Sequence, residues 1–189
     1  MYGKSPKHLE DPISNILYYI SYKITQIINI NPNYITLLRL FIMFYIYYLL
    51  FNNKSKYFAA ILFMICYFLD HLDGEMARQH DKITKFGDYF DHIVDNLYIL
   101  PVIILLYFKF KNNKYFILYS VIFILLTLSS VKLIGCQELY FSKNYRKFKK
   151  KISESLEILK KICYIKDLST IRFFGMGLWH MYISYLLIL

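Results

Sequence analysis

The segment 70–95, DHLDGEMARQHDKITKFGDYFDHIVD, places Asp70, Asp73, Asp88, Asp91 and Asp95 directly after the apolar run YFAAILFMICYFL. At 100° per residue, Asp70, Asp73, Gly74 and Ala77 share one helix face, with Arg78 at its edge. Gly87, Asp91 and Asp95 share a face of the next helix. Asp88 points away from Asp91 and Asp95, and Glu75 lies off the first face, so neither joins the set. Two antiparallel helices that turn these faces together bring four carboxylates into a partly dry space. There they repel one another unless protonated or bound to cations. Oxygen-only donors suit hard ions such as Mg²⁺ or Mn²⁺, whose shells are completed by water and phosphate. The chain has only four arginines, and Arg39 and Arg78 both fall at the ends of apolar runs beside these carboxylates. A guanidinium so placed is a natural phosphate clamp. Gly74, Ala77 and Gly87, in a chain with 6 Gly, would let helices and a ligand approach the backbone closely.

The elements that must position these residues are hydrophobic. The chain of 189 residues is 57% hydrophobic and 20% aromatic, with mean hydropathy +0.35. Charge-free runs at 40–51, 57–69, 96–108, 115–131 and 173–189 predict five spans, about 34–51, 57–78, 88–108, 115–134 and 170–189. Inside a bilayer an ionised side chain costs about 2.5–3.5 kcal/mol, so the aspartates need compensation. Residues 13–29 set Ile13, Ile16, Leu17, Ile20, Ile24, Ile27 and Ile28 at helical spacing among Ser, Lys and Gln, the pattern of a helix lying on the interface. A sixth span is the competing reading of that stretch. The first residues, MYGKSPKHLEDP, lack the apolar core of a cleavable signal. Cys66, Cys136 and Cys163 form no metal or redox motif and read as free thiols.

The net charge of +10 is concentrated between Lys143 and Lys166. Such a block between apolar runs marks the cytoplasmic side of a membrane and argues against nucleic acid as its partner. Counting spans back from it puts 109–114 and 52–56 outside, and the N-terminus, the stretch 79–87 and the aspartates at the cytoplasmic face.

The segment fits D-x2-D-G-x2-A-R-x8-G-x3-D-x3-D at every fixed position: Asp70, Asp73, Gly74, Ala77, Arg78, Gly87, Asp91 and Asp95. It resembles the signature of the class I CDP-alcohol phosphatidyltransferases. Upstream, NPNYIT is similar to that family's approach to its first core span, with Asn33 and Thr36 at matching positions. The resemblance covers about 33–95. It implies an all-α polytopic membrane bundle, usually of six spans where the hydropathy of this chain gives five, that forms a homodimer. It further implies Mg²⁺ or Mn²⁺, two ions, held by Asp70, Asp73 and Asp91, with Asp95 as general base and further metal contact. Asn33, Thr36, Gly74, Ala77, Arg78, Thr84 and Gly87 would then bind the CDP moiety. The activity implied is transfer of a phosphatidyl group from a CDP-linked lipid to an alcohol with release of CMP. Its host membrane would be the endoplasmic reticulum in a eukaryote or the inner membrane in a bacterium. His92 after Asp91 keeps open the reverse arrangement, a CDP-aminoalcohol donor and a diacylglycerol acceptor. Intramembrane carboxylates without chemistry, as in a cation or proton conductor or an assembly partner, leave Gly74, Ala77 and Arg78 without a purpose.

Four parts follow: an N-terminal segment 1–33 with the interfacial helix, a core 34–134 of four spans, a basic cytoplasmic segment 135–169 and a last span 170–189. The topology is checked by impermeant thiol labelling of single cysteines in an otherwise cysteine-free variant. Ser153→Cys should react only from the cytoplasmic side and Asn112→Cys only from the other. Labelling of both from one side means a miscounted span.

Overall fold

The computed structural model describes residues 10–144 and 172–189, with side chains described to residue 137 and from 172. Six α-helices account for most of them: α1 (Pro12–Thr25), α2 (Pro32–Phe51), α3 (Lys56–Gln79), α4 (Lys85–Phe110), α5 (Phe116–Asn144) and α6 (Met176–Ile188). A 3₁₀ turn, Arg172–Phe174, leads into α6. The starts follow local chemistry. Asp11, Asn31, Ser55 and Thr84 cap α1 to α4 by accepting backbone N–H bonds, and Pro12 and Pro32 occupy first-turn positions.

Helices α2 to α5 are long and apolar enough to cross a bilayer. They expose large apolar side chains all along their outer faces, among them Phe41, Ile61, Leu100 and Ile124, as lipid-facing helices do. Within the expected last span, 170–189, Gly175 takes an extended conformation and a helix of 13 residues follows it. On this helix Gly177, Trp179, His180, Ile183, Ser184, Leu186 and Leu187 all lie inside the bundle. Trp179 is a packing group that donates from Nε1 to Thr127 Oγ1 at 3.0 Å. At the other end of the core, α5 continues past the expected boundary at 134 to Asn144. The remaining basic residues of the segment, 145–169, lie outside the described residues. Cys66 is a free, buried thiol. Cys136 is disulfide-bonded, which corrects the reading of three free thiols, because wide sequence spacing does not preclude spatial approach.

Helix α3 is the centre of the bundle and packs on α1, α2 and α6, while α2 also packs on α4. The buried face of α2 reads Ile35, Thr36, Arg39, Met43, Ile46 and Leu49, a three-to-four-residue stripe. Phe63 and Tyr98 stack at 4.5 Å, and the Tyr98 hydroxyl donates to Phe63 O at 2.6 Å, joining α3 to α4. Pro101 interrupts the ladder of α4 and leaves the carbonyl four residues earlier, Leu97 O, without its helical donor. The hydroxyl of Tyr47 on α2 donates to that carbonyl and lies 3.2 Å from Tyr98 O. In a medium without water this repair matters, since unpaired backbone groups are costly there.

Helix α1 packs the reverse way from a helix of a soluble protein. Ser14, Tyr18, Ser21 and Thr25 face α3, while Ile16 and Ile20 are exposed, as is Ile27 just beyond the helix. The outward stripe is the expected interfacial face. Asp11 fastens its start: one carboxylate accepts from Ile13 N at 2.9 Å and Ser14 N at 3.0 Å, and takes a further backbone bond from Gly177 of α6. Burial raises the Asp11 carboxyl above its ordinary value, against these N–H groups, which favour the charged form. A Cβ at Gly177 would sit 2.5 Å from both Asp11 Oδ1 and Ile13 Cβ, so FGMG is a close-packing point.

Gly177→Ala is therefore expected to destabilise the α1–α6 junction by about 1–3 kcal/mol, the usual range for overpacking. Thermal unfolding in detergent should fall, and limited proteolysis should cut α1 first. An unchanged melting temperature would refute the junction.

Candidate active site

The two aspartate-bearing faces do meet, but through a third helix. Arg39 of α2 is 1% exposed and projects between α3 and α4. Its guanidinium bonds Asp70 through Nη1, and through Nη2 it reaches Asp91 at 2.6 Å and Asp95 at 3.0 Å. Asp73, also buried, takes the hydroxyl of Thr36 at 2.8 Å instead. Thus α2 supplies a partner to each of the four carboxylates, from positions one turn apart.

Asp70, Asp73 and Asp91 each offer a carboxylate oxygen, and the three oxygens lie within 4.8 Å of one another. Asp91, His92 and Asp95 form a second close group, to which His92 brings a ring nitrogen in place of an oxygen. One guanidinium against four carboxylates leaves three negative charges uncompensated when all are ionised. An oxygen-only donor set with that excess fits a divalent cation. Behind it, a cavity of about 60 Å³ is bounded by Arg39, Asp70, Asp95, Tyr67, Tyr98 and His180. His180 stacks on Tyr67 at 3.8 Å and directs Nδ1 to Met176 O at 2.7 Å, closing the inner end with a packed aromatic wall.

The remaining sequence-predicted residues sit in two further places. Asn33, Thr84 and Gly87 come together where α2 and α4 begin. Thr84 Oγ1 accepts from Gly87 N at 3.0 Å, and a Cβ on Gly87 would stand 3.0 Å from Asn33 Oδ1. Gly74 and Arg78 lie on the α1 side of α3, where a Cβ on Gly74 would meet Arg78 Nη1 at 3.2 Å. Arg78 pairs with Glu75 at 2.7 Å and lies over the Tyr18 ring at 5.4 Å. Ala77 is half-buried on the same helix. Asp88 and His92 form a loose pair at 4.0 Å on α4.

Sequence reasoning set Glu75 aside, yet it is fully buried and holds both Arg78 and the Gln79 amide at 2.6 Å. It also stopped short of placing Arg39 among the site residues. The signal was available: Arg39 follows Thr36 by three residues on one helix face, within an otherwise charge-free span.

Removing the Arg39 charge should expose its role. Arg39→Met strands carboxylates that are about one-third exposed and, discounted for that solvent access, is expected to cost about 1–3 kcal/mol. Millimolar Mn²⁺ should recover part of that loss, so the melting temperature of the variant should depend on the ion more steeply than wild type. Equal ion dependence of the two proteins would show that Arg39 and the cation do not share these carboxylates.

The CDP-alcohol phosphatidyltransferase pattern matches residues 29–188. The CDP-diacylglycerol--glycerol-3-phosphate 3-phosphatidyltransferase of Rickettsia felis is 38% identical over 81 residues, 40% of this chain and 42% of that protein. The protein of the same name from Wigglesworthia glossinidia brevipalpis is 37% identical over 78 residues, 40% of this chain and 42% of its own length. An archaetidylinositol phosphate synthase from Pyrococcus horikoshii is 34% identical over 73 residues, 37% of each chain. The chain thus spans only about two-fifths of the length of these relatives. No solved structure matches. The pattern takes in the aspartate cluster, the helices that carry it and α6 behind it, and on that match the chain belongs to the CDP-alcohol phosphatidyltransferase family.

Proposed function

We propose that the protein transfers a phosphatidyl group from CDP-diacylglycerol to an alcohol acceptor with release of CMP. The observation that carries this reading is the gathering of Asp70, Asp73 and Asp91 around Arg39, in a chain of this family. Asp70, Asp73 and Asp91, with a further contact from Asp95, are assigned to hold two Mg²⁺ or Mn²⁺ ions. Bound there, the ions would neutralise the donor's pyrophosphate and the charge growing on the leaving phosphate.

The residues of this chain divide the remaining work. Asp95, oriented by Arg39, accepts the proton of the acceptor hydroxyl. The acceptor oxygen forms a bond to the phosphorus on the diacylglycerol side, and the bond from that phosphorus to the CMP oxygen breaks. Arg78, aimed by Glu75, offers its guanidinium to the donor phosphates, and Gly74 and Ala77 leave room beside it. Asn33, Thr84 and Gly87 are assigned to the cytidine end, at the mouth of the bundle. Thr36 is assigned to the donor side as well, acting through the Asp73 carboxylate that it holds.

The four-part division, a homodimeric assembly and a cytoplasmic placement of the site belong to the same proposal. The names of the relatives favour the phosphatidyl direction over transfer of a phosphoaminoalcohol, and make glycerol 3-phosphate the first acceptor to test.

Purified protein given CDP-diacylglycerol, glycerol 3-phosphate and Mg²⁺ or Mn²⁺ should release CMP and stop on chelation. Asp70→Asn should lose metal-dependent donor binding. Asp95→Asn should keep it while single-turnover CMP release falls about 10²–10⁴-fold, the usual contribution of a positioned base. Full turnover in excess chelator would refute the metal assignment. Loss of donor binding in Asp95→Asn, equal to that in Asp70→Asn, would make Asp95 principally a ligand.

A further inference from the structure

The end of the bundle opposite the aspartates is chemically one-sided. No acidic residue occurs between Asp11 and Asp70, or between Asp95 and Glu138. Both turns at that end, NNKSK at 52–56 and KFKNNK at 109–114, therefore offer ammonium and amide groups without a carboxylate. Lys109 is committed: its Nζ donates to Leu186 O at 3.1 Å and Leu187 O at 2.9 Å, closing the end of α6. Lys111 and Lys114 are exposed, with their ammonium groups over the rings of Phe108 at 5.1 Å and Tyr115 at 4.8 Å.

Beside these two lysines α4 and α5 do not close on each other, although a short turn joins them. A groove of about 250 Å³ runs between them, walled by Ile103, Tyr107 and Phe110 on one side and Phe116, Ser120 and Phe123 on the other. From Ile103 to Phe110 it extends about 10 Å along the helix axis. The side chains flanking it, Ile104, Phe108, Ile117 and Val121, are exposed on the lipid face, so the groove opens towards hydrocarbon. An acyl chain is the partner whose chemistry matches such walls, and the lysines in the turn that joins them favour a headgroup with net negative charge.

We propose that the α4–α5 groove, with Lys111 and Lys114, is a binding site for an anionic phospholipid. The chain lies along Tyr107 and Phe123, and the headgroup phosphate meets the two ammonium groups. The site is separate from the aspartate cluster and does not rest on the transferase reading.

The chain's one tryptophan reports on the groove, because the Trp179 ring lies 5.8 Å from that of Phe123. Phosphatidylserine or phosphatidylcholine with brominated chains is titrated into the detergent-solubilised full chain, and quenching of Trp179 is read. Half-quenching should need at least about five-fold less phosphatidylserine than phosphatidylcholine, and each of Lys111→Gln and Lys114→Gln should reduce that preference about five-fold until it is gone. The double Lys→Arg variant should keep the preference. Ser120→Phe, which fills the groove, should lower quenching by both lipids while circular dichroism shows the helices intact. Equal quenching by the two lipids in the wild type, or a preference that survives both Gln substitutions, would overturn the site. Quenching undiminished by Ser120→Phe would do so too, and would leave only ordinary contact with surrounding lipid.

Discussion

Three carboxylates drawn from two helices, together with a fourth nearby, meet one guanidinium in a bundle that spans a bilayer. At an effective dielectric of about 20, two like charges roughly 5 Å apart repel by about 3–4 kcal/mol. Several such pairs would be enough to splay α3 from α4. The attraction of Arg39 for its three partners is of the same order, so it offsets most of the repulsion and little more. The helices can therefore assemble around Arg39, and the cluster still carries the excess negative charge that draws a divalent ion. A stronger internal cation would make a more stable bundle and a weaker metal site.

Helix α2 carries this balance on a single face. Thr36 and Arg39 fix the carboxylates, and Tyr47, two turns further on, satisfies the carbonyl that Pro101 leaves open in α4. The same helix thus sets the position of α4 at two depths, one ionic and one through the backbone. Geometry held from outside the reacting groups is what pre-organises a site, because the ligands need not be rearranged when substrate arrives.

Much of this was legible in the residues. Hydropathy located α2, α3 and α4 to within three positions at each end, though α5 runs ten residues past its expected boundary, and the aspartate spacing named the residues that converge. In the last apolar run the extended Gly175 was not legible, because an apolar run reads alike on either side of such a break. The partners of the charged groups were less visible. Arg39 lies 31 residues from Asp70 and 52 from Asp91, and no local periodicity encodes which arginine reaches which carboxylate. Glu75 was set aside because it lies off the aspartate face, and that same displacement puts it where Arg78 needs an anchor. Polarity inverted on α1 could be read as amphipathic, but not which face docks: small hydroxyl side chains fit against α3, and isoleucine is left for the membrane.

The junction of Asp11 with Gly177 joins positions nearly a whole chain apart. Contacts of such sequence separation form late, since the intervening loop must close before they return any free energy. During synthesis, α2 to α4 can gather their aspartates while α6 is still unmade, but α1 gains its second anchor only after α6 has packed. Because α1 also rests on Arg78 through Tyr18 and receives His80 at the Thr25 carbonyl, the order of events is built into the chain. The acidic cluster can assemble first, and the arm that steadies its neighbouring arginine is latched by α6, which is made after the helices of the cluster.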